Sequence, residues 1–194
     1  MKKKNFTADK LLKDHFALNK MMKKYSKKIT EISTLVSETV TSGGCVFWCG
    51  NGGSAADAQH LAAELIGRFE KERKAIKSIA LNTDTSILTA LANDYSYDIV
   101  FSRQLEGLGS PNDILLTFST SGNSKNILNI LKKSKLMKIK SIAILGNNGG
   151  KAKKLSDYNI TLPLKSTARI QEMHILIGHI ICSIVENNFM KNKN

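Results

Sequence analysis

Cysteine, arginine and aromatic residues are scarce in this sequence, long apolar runs are absent, and each shortage removes a class of protein. Three cysteines, Cys45, Cys49 and Cys182, stand among 194 residues. The number is odd, and Cys45 and Cys49 lie in a strongly apolar run. Buried free thiols of a reducing compartment are therefore expected, not a disulfide framework. No apolar run approaches the roughly 20 residues that span a bilayer. The basic start, Met1 to Phe6, leads into no apolar core or cleavage site, which argues against a secretory signal. The expectation is a cytoplasmic chain with no membrane partner. Of 29 basic residues only Arg68, Arg73, Arg103 and Arg169 are arginines, and aromatic residues make up 6%. Base-edge readers lean on arginine, and single-strand binders on aromatic platforms. The net charge of +13 thus reads as a solvated lysine-rich face, densest between Lys2 and Lys28, with no nucleic-acid partner. It would still draw in an anionic substrate.

What is present is an ordinary globular balance, 42% hydrophobic and 23% charged, long enough for one core. There is no internal repeat and no linker rich in Pro, Gly or Ser. One domain is expected over 1–194, with an N-terminal helical arm at 1–42 and a core at 43–190. Apolar residues from Leu11 to Val36 recur near a 3.6-residue period, which predicts a helix from Thr7 to Val40 ended by Gly43-Gly44. Such an arm exceeds what a cap needs and favours a helix-mediated oligomer.

Strand and helix signals then alternate. Strands are predicted at Cys45–Cys49, Lys77–Leu81, Asp113–Phe118, Ser141–Leu145 and Asn159–Leu164. Helices are predicted at Asp57–Phe69, Thr85–Ala92, Tyr97–Leu108, Ser124–Leu136 and Thr167–Asn187. Strands separated by helices imply a parallel, five-stranded sheet flanked by helices, an α/β three-layer sandwich. Ligands of such sheets bind beyond the carboxyl ends of the strands, in the loops starting at Gly50, Asn82, Ser119 and Gly146.

The first of these loops reads Gly50-Asn51-Gly52-Gly53-Ser54-Ala55. Its glycines permit a tight turn and close approach of a ligand, and the following helix offers free N–H groups. It fits G-x-G-x-x-A loosely, but the acidic residue a dinucleotide site needs about 20 residues on is missing. The third loop, Ser119-Thr120-Ser121-Gly122-Asn123-Ser124, holds four hydroxyls where a helix starts. That exceeds the one needed for an N-cap and makes a phosphate cradle without lysine. No G-x-x-x-x-G-K-[ST] is present, so a P-loop nucleotidase is disfavoured. His60 and Glu64, four apart on the helix after the first loop, face one way. They suit a metal pair or a base and its orienter, and equally an exposed ion pair. The last helix sets Gln171, Glu172, His174 and His179 among isoleucines, and periodicity does not tell which point inward.

Taken together, Gly50-Asn51-Gly52-Gly53-Ser54, Ala92-Asn93-Asp94, Ser119-Thr120-Ser121-Gly122-Asn123-Ser124 and Arg169-Ile170-Gln171-Glu172 resemble the sugar isomerase (SIS) family. Within it they resemble the branch that isomerises a seven-carbon ketose phosphate. The resemblance runs from Gly43 to the end of the last helix and includes the arm. It implies the SIS fold and a homotetramer with sites at subunit contacts. It implies one zinc ion per subunit, held by His60, Glu64, Gln171 and His179, with Glu64 and His179 as the acid/base pair. Phosphate falls to Ser119, Thr120, Ser121 and Ser124, and the sugar to Asn51, Gly52, Gly53, Ser54, Asn93 and Asp94, with Glu64 and Gln171. The implied reaction turns D-sedoheptulose 7-phosphate into D-glycero-D-manno-heptose 7-phosphate, the first step towards nucleotide-activated heptose for lipopolysaccharide, lipooligosaccharide core or capsule. Some members carry Asp immediately before Arg-Ile-Gln-Glu where this chain has Ala168, a departure that bears on one sugar-hydroxyl contact. A non-catalytic relative that binds a replication initiator lacks the counterparts of Glu64 and His179. A sugar-phosphate sensor would bring a DNA-binding domain, for which 194 residues leave no room.

Overall fold

Three apolar stretches of this chain, Val46–Gly50, Ile114–Ser119 and Lys140–Gly146, bury successive side chains alternately in two different cores, the pattern of strands covered on both faces. The computed structural model describes residues 7–191; the basic stretch 1–6 lies outside them. The strands are β1 (Val46–Gly50), β2 (Ser78–Ala80), β3 (Ile114–Ser119), β4 (Lys140–Gly146) and β5 (Tyr158–Leu162). All pair in parallel, in the order β2-β1-β3-β4-β5. Val46, Trp48, Ile114, Leu116, Phe118, Ile142, Ile144, Ile160 and Leu162 point into one core. Phe47, Cys49, Leu115, Ala143 and Leu145 point into the other.

The helices are α1 (Ala8–Met22), α2 (Ser26–Thr41), α3 (Gly53–Ile66), α4 (Thr85–Asp94), α5 (Val100–Leu108), α6 (Lys125–Leu136), α7 (Ala152–Leu155) and α8 (Thr167–Lys191). α2, α3 and α8 cover the first face; α5, α6 and α7, with the inner side of α4, cover the second. The result is the α/β three-layer sandwich with a five-stranded parallel sheet. α8 is the one described helix long and apolar enough, by length and composition, to cross a membrane. Its Met173, Ile177, Ile181 and Val185 are fully buried against the first core.

Several boundaries differ from the sequence expectation. The arm is two helices, broken by a 3-10 turn at Lys23–Tyr25. There the Tyr25 hydroxyl donates to the Thr161 carbonyl of β5, a long-range tie that local periodicity does not report. α2 buries Ile29, Ile32, Leu35, Val36 and Val40, whereas α1 buries only Met22. α1 is held to α8 by His15, whose Nδ1 lies 3.0 Å from Oε2 of Glu172. The expected helix from Asp57 starts four residues earlier, at Gly53, because Gly52 adopts φ 58°, ψ −123°, a region essentially closed to other residues. It also ends earlier, at Ile66. Residues Tyr97–Ile99 are a 3-10 turn ahead of α5, and α7 was not anticipated.

The chain order reverses between β1 and β3. In an open parallel sheet that switch point opens a crevice at the carboxyl ends of the strands. The loop after β1 and the loop after β3 flank it.

Candidate active site

The crevice loops are shaped before any ligand is considered. Ser119 is buried, and its Oγ accepts the Gly122 N–H at 3.0 Å; Ser121 Oγ accepts the Asn123 N–H at 3.2 Å. Gly122 sits at φ 64°, and a Cβ there would collide with the Gly149 carbonyl, so the turn demands glycine. Ser124 occupies the N-cap position of α6, yet its side chain makes no capping bond. Thr120 is half-buried and Ser121 exposed at the mouth. The four hydroxyls therefore converge on one loop at the start of α6, with Ser119 serving the turn from inside. Of the sugar-side residues, Ser54 is 3% exposed, packed inside the first turn of α3. Asn93 and Asp94 are exposed at the end of α4, where Asn93 Nδ2 donates to Asp94 Oδ1.

Two turns along α3 a second group of side chains meets. His60 Nε2 lies 3.1 Å from Glu64 Oε1, and His179 Nε2 reaches across from α8 to within 3.0 Å of His60 Nε2. One donor atom from each of His60, Glu64 and His179 lies within 4.8 Å of the others. The rings of His60 and His179 are 5.0 Å apart, and Phe69 stacks on His179 at 5.6 Å and 28°. Burial holds the His179 imidazole below its ordinary value; a charge on His60 would push the same way, and Glu64 opposes. Two imidazole nitrogens this close cannot both carry an outward-facing proton. They share one, or they share a cation. Two imidazoles and a carboxylate within one ion's reach form a donor set that zinc accepts, with a position left for substrate.

The close approach of α3 and α8 has a cause. Gly178 packs against Leu61, and the Cys182 thiol faces the Leu61 carbonyl at 4.0 Å. Beyond the C-terminus of α3, Arg73 donates to the carbonyls of Glu64, Leu65, Gly67 and Lys74. Its Nε pairs with Glu186 at 3.1 Å, both side chains all but inaccessible. Glu186 also accepts the backbone N–H groups of Phe69, Glu70 and Lys71. Burial raises the Glu186 carboxyl, but these N–H groups and Arg73 outweigh it and hold it below the usual range. The pair fixes the segment that lays Phe69 on His179. Phe69, expected inside the helix, is part of this segment instead.

The structure unites three of the four residues the resemblance assigns to zinc and leaves the fourth apart. Gln171 stands two turns before His179 on α8, about 12 Å along the axis. Its amide packs on Gly53: Nε2, Cδ and Oε1 lie 2.6–2.8 Å from where a Cβ at Gly53 would stand. His174 is fully buried, with its ring 5.8 Å from that of Phe118. Glu172 turns outward to His15 and Arg169. Sequence reasoning missed Asp57, one turn before His60. Its carboxyl is pushed up to about 6 by burial, against the pull of His60, and its buried Oδ2 has no hydrogen-bond partner among the described residues. The i,i+3 spacing from His60 is the signal that would have found it.

The SIS-domain family matches residues 15–146, and the chain carries that class of domain. The phosphoheptose isomerase of Helicobacter pylori is 48% identical over 186 residues, covering 93% of this chain and 97% of the relative. Phosphoheptose isomerase 1 of Campylobacter jejuni is 52% identical over 162 residues, covering 84% and 87%. The solved structure of phosphoheptose isomerase from Neisseria gonorrhoeae superposes with TM-score 0.83 at 38% identity, covering 93% of this chain and all of that one. The chain belongs to the phosphoheptose isomerase family and is an isomerase.

Proposed function

We propose that this isomerase converts D-sedoheptulose 7-phosphate to D-glycero-D-manno-heptose 7-phosphate by proton transfer through an enediol. The observation that carries the reading is the meeting of Glu64, His60 and His179, two of them on α3, the helix that starts from the loop at the switch point. Ketose–aldose exchange takes a proton from C1 and returns one at C2. Glu64 and His179 are a carboxylate and an imidazole brought together from the facing helices α3 and α8. The phosphate rests on the hydroxyls of Thr120, Ser121 and Ser124, with Ser119 shaping their turn. That remote anchor orients the reacting carbons. Asn51, Gly52, Gly53, Ser54, Asn93, Asp94 and Gln171 line the sugar chain. The cleft floor formed by Phe69 keeps water from one face of His179.

His60, Glu64 and His179 are the residues of this chain that would hold a zinc ion. When bound, such an ion polarises the ketose carbonyl and stabilises the charge that develops on its oxygen. Gln171 of the same chain faces Gly53. Its place in the ligand set is therefore assigned to the homotetramer, whose sites lie at subunit contacts. Leu11, Leu12 and Phe16, exposed on α1, support an arm that packs in that assembly. The three unpaired thiols support a cytoplasmic enzyme, and the shortage of arginine and aromatic residues a protein without a nucleic-acid partner. The product would feed heptose into a surface polysaccharide. Incubating the purified chain with sedoheptulose 7-phosphate, and following ketose loss with aldose gain, tests the reading. No conversion at any metal supplement sinks it.

A further inference from the structure

The amide of Asn51 is locked at the switch point by residues from the first turn of α6 and from the 3-10 turn ahead of α5. Asn51 Nδ2 donates to Asn126 Oδ1 at 2.9 Å, and Asn126 Nδ2 donates back to Asn51 Oδ1 at 2.8 Å. The orientation of this cyclic pair is decided by a donor that cannot be exchanged for an acceptor. The backbone N–H of Ile127, in the first turn of α6, gives to Asn126 Oδ1 at 2.9 Å. That bond fixes which end of the Asn126 amide is oxygen, and the reciprocal pair passes the choice on to Asn51. With that orientation the Tyr97 hydroxyl donates to Asn51 Oδ1 at 3.3 Å. Asn126 is 3% exposed and Tyr97 54% exposed. The lock is thus buried on the α6 side and open on the other.

The hydrogen-bond count of Asn51 follows. Its oxygen accepts two bonds, which fills both lone pairs. Its nitrogen has spent one N–H on Asn126 and keeps the other, which in a cyclic amide pair points away from the partner. Nothing among the described residues accepts that N–H.

Building on the isomerase reading above, we propose that Asn126 and Tyr97 are positioning residues that present Asn51 to the sugar chain as a hydrogen-bond donor. The group Asn51 recognises is an oxygen acceptor, a carbonyl or hydroxyl oxygen of the open-chain ketose phosphate. Three segments then act as one: the loop after β1 carrying Asn51, the start of α6 below the phosphate loop, and the turn after Asn93-Asp94 carrying Tyr97. Phosphate seated at α6 and sugar met by Asn51 are held in fixed register through the amide pair.

The test uses the full chain with sedoheptulose 7-phosphate as substrate and inorganic phosphate as competing ligand. Tyr97→Phe removes one exposed hydroxyl and leaves the fold intact. It should raise KM for the ketose phosphate about five-fold, the scale of one lost neutral hydrogen bond, with the phosphate inhibition constant and metal content unchanged. Asn51→Ala should raise KM further, and adding Tyr97→Phe to it should change nothing more, because Tyr97 acts through Asn51. Asn126→Ala should raise KM in the same direction. An unchanged KM in Tyr97→Phe overturns the proposal, as does a Tyr97→Phe effect that persists undiminished in the Asn51→Ala background. Either result with an active wild type leaves the isomerase reading standing. A wild-type chain that neither binds nor turns over the ketose phosphate overturns both.

Discussion

His60 and His179 lie 119 positions apart in the chain, yet their Nε2 atoms are 3.0 Å apart. Their approach depends on the packing of α3 against α8, where Gly178 admits Leu61. A cluster built across two helices is emptied by removing either side. His179→Ala should lose bound zinc, measured by elemental analysis, together with turnover, because a ligand and a proposed proton carrier go at once. His174→Ala should keep its metal, since His174 faces Phe118 inside the core. A chelator should lower activity and added zinc restore it. If His179→Ala stays fully loaded, the ligand assignment fails.

Glu64→Gln isolates the carboxylate. The replacement is nearly isosteric, leaves the backbone carbonyl that Arg73 holds at 2.8 Å in place, and cannot take a proton at neutral pH. Turnover should fall at least ~100-fold, the lower range for a lost general acid or base, with circular dichroism and melting temperature little altered. Turnover close to wild type would remove Glu64 from the proton transfer.

Much of the frame was legible because its signals are local. Cys45 to Cys49 is a short, wholly apolar run, the mark of a buried strand, and the glycines after it announce a turn. His60 and Glu64 share a face by spacing alone. The rest is written in tertiary contacts. The choice among Gln171, Glu172, His174 and His179 was illegible because apolar residues also fill the half-buried side of α8, at Ile175, Leu176 and Ile180, which blurs the one-sided burial of Ile170, Met173, His174, Ile177 and Gly178. Phe69 reads as helix until Gly67 ends α3 and Glu186, 117 positions away, takes its N–H. The break at Lys23–Tyr25 is fixed by a carbonyl on β5. Tyr97 meets Asn51 from 46 positions away, and no pattern around Tyr97 announces it.

Ser121→Ala should weaken binding of substrate and of inorganic phosphate by about five-fold. Its hydroxyl stands exposed at the loop mouth and already bonds the Asn123 N–H. Thr34→Ala is the matched control, an exposed hydroxyl on α2 bonded to the Thr30 carbonyl, and should leave both affinities unchanged. Calorimetric titration of phosphate into each variant decides the matter. Equal affinities would make the loop a cap and nothing more.

His174 predicts how stability responds to acid. The ring is fully buried against Phe118, and neither nitrogen makes a well-formed hydrogen bond among the described residues, the Leu145 backbone being the polar group that acts on it. Burial lowers its pKa from 6.5 to about 4, opposed weakly by the Leu145 backbone. The unfolded chain therefore binds this proton more readily than the folded one, so stability rises with pH across the interval. The contribution is fully present above pH 6.5 and is lost as pH falls from there through about 4. Its full size is on the order of 3 kcal/mol, at 1.36 kcal/mol per unit. Other carboxylates titrate in the same range, so the informative quantity is a difference between proteins. His174→Leu keeps an apolar side chain in the same space and has no proton to take up. The gap in urea-unfolding free energy between His174→Leu and the parent should widen in the variant's favour as pH is lowered from 7 to 4. A gap that stays constant over that range would mean that His174 is solvated or paired in the folded protein.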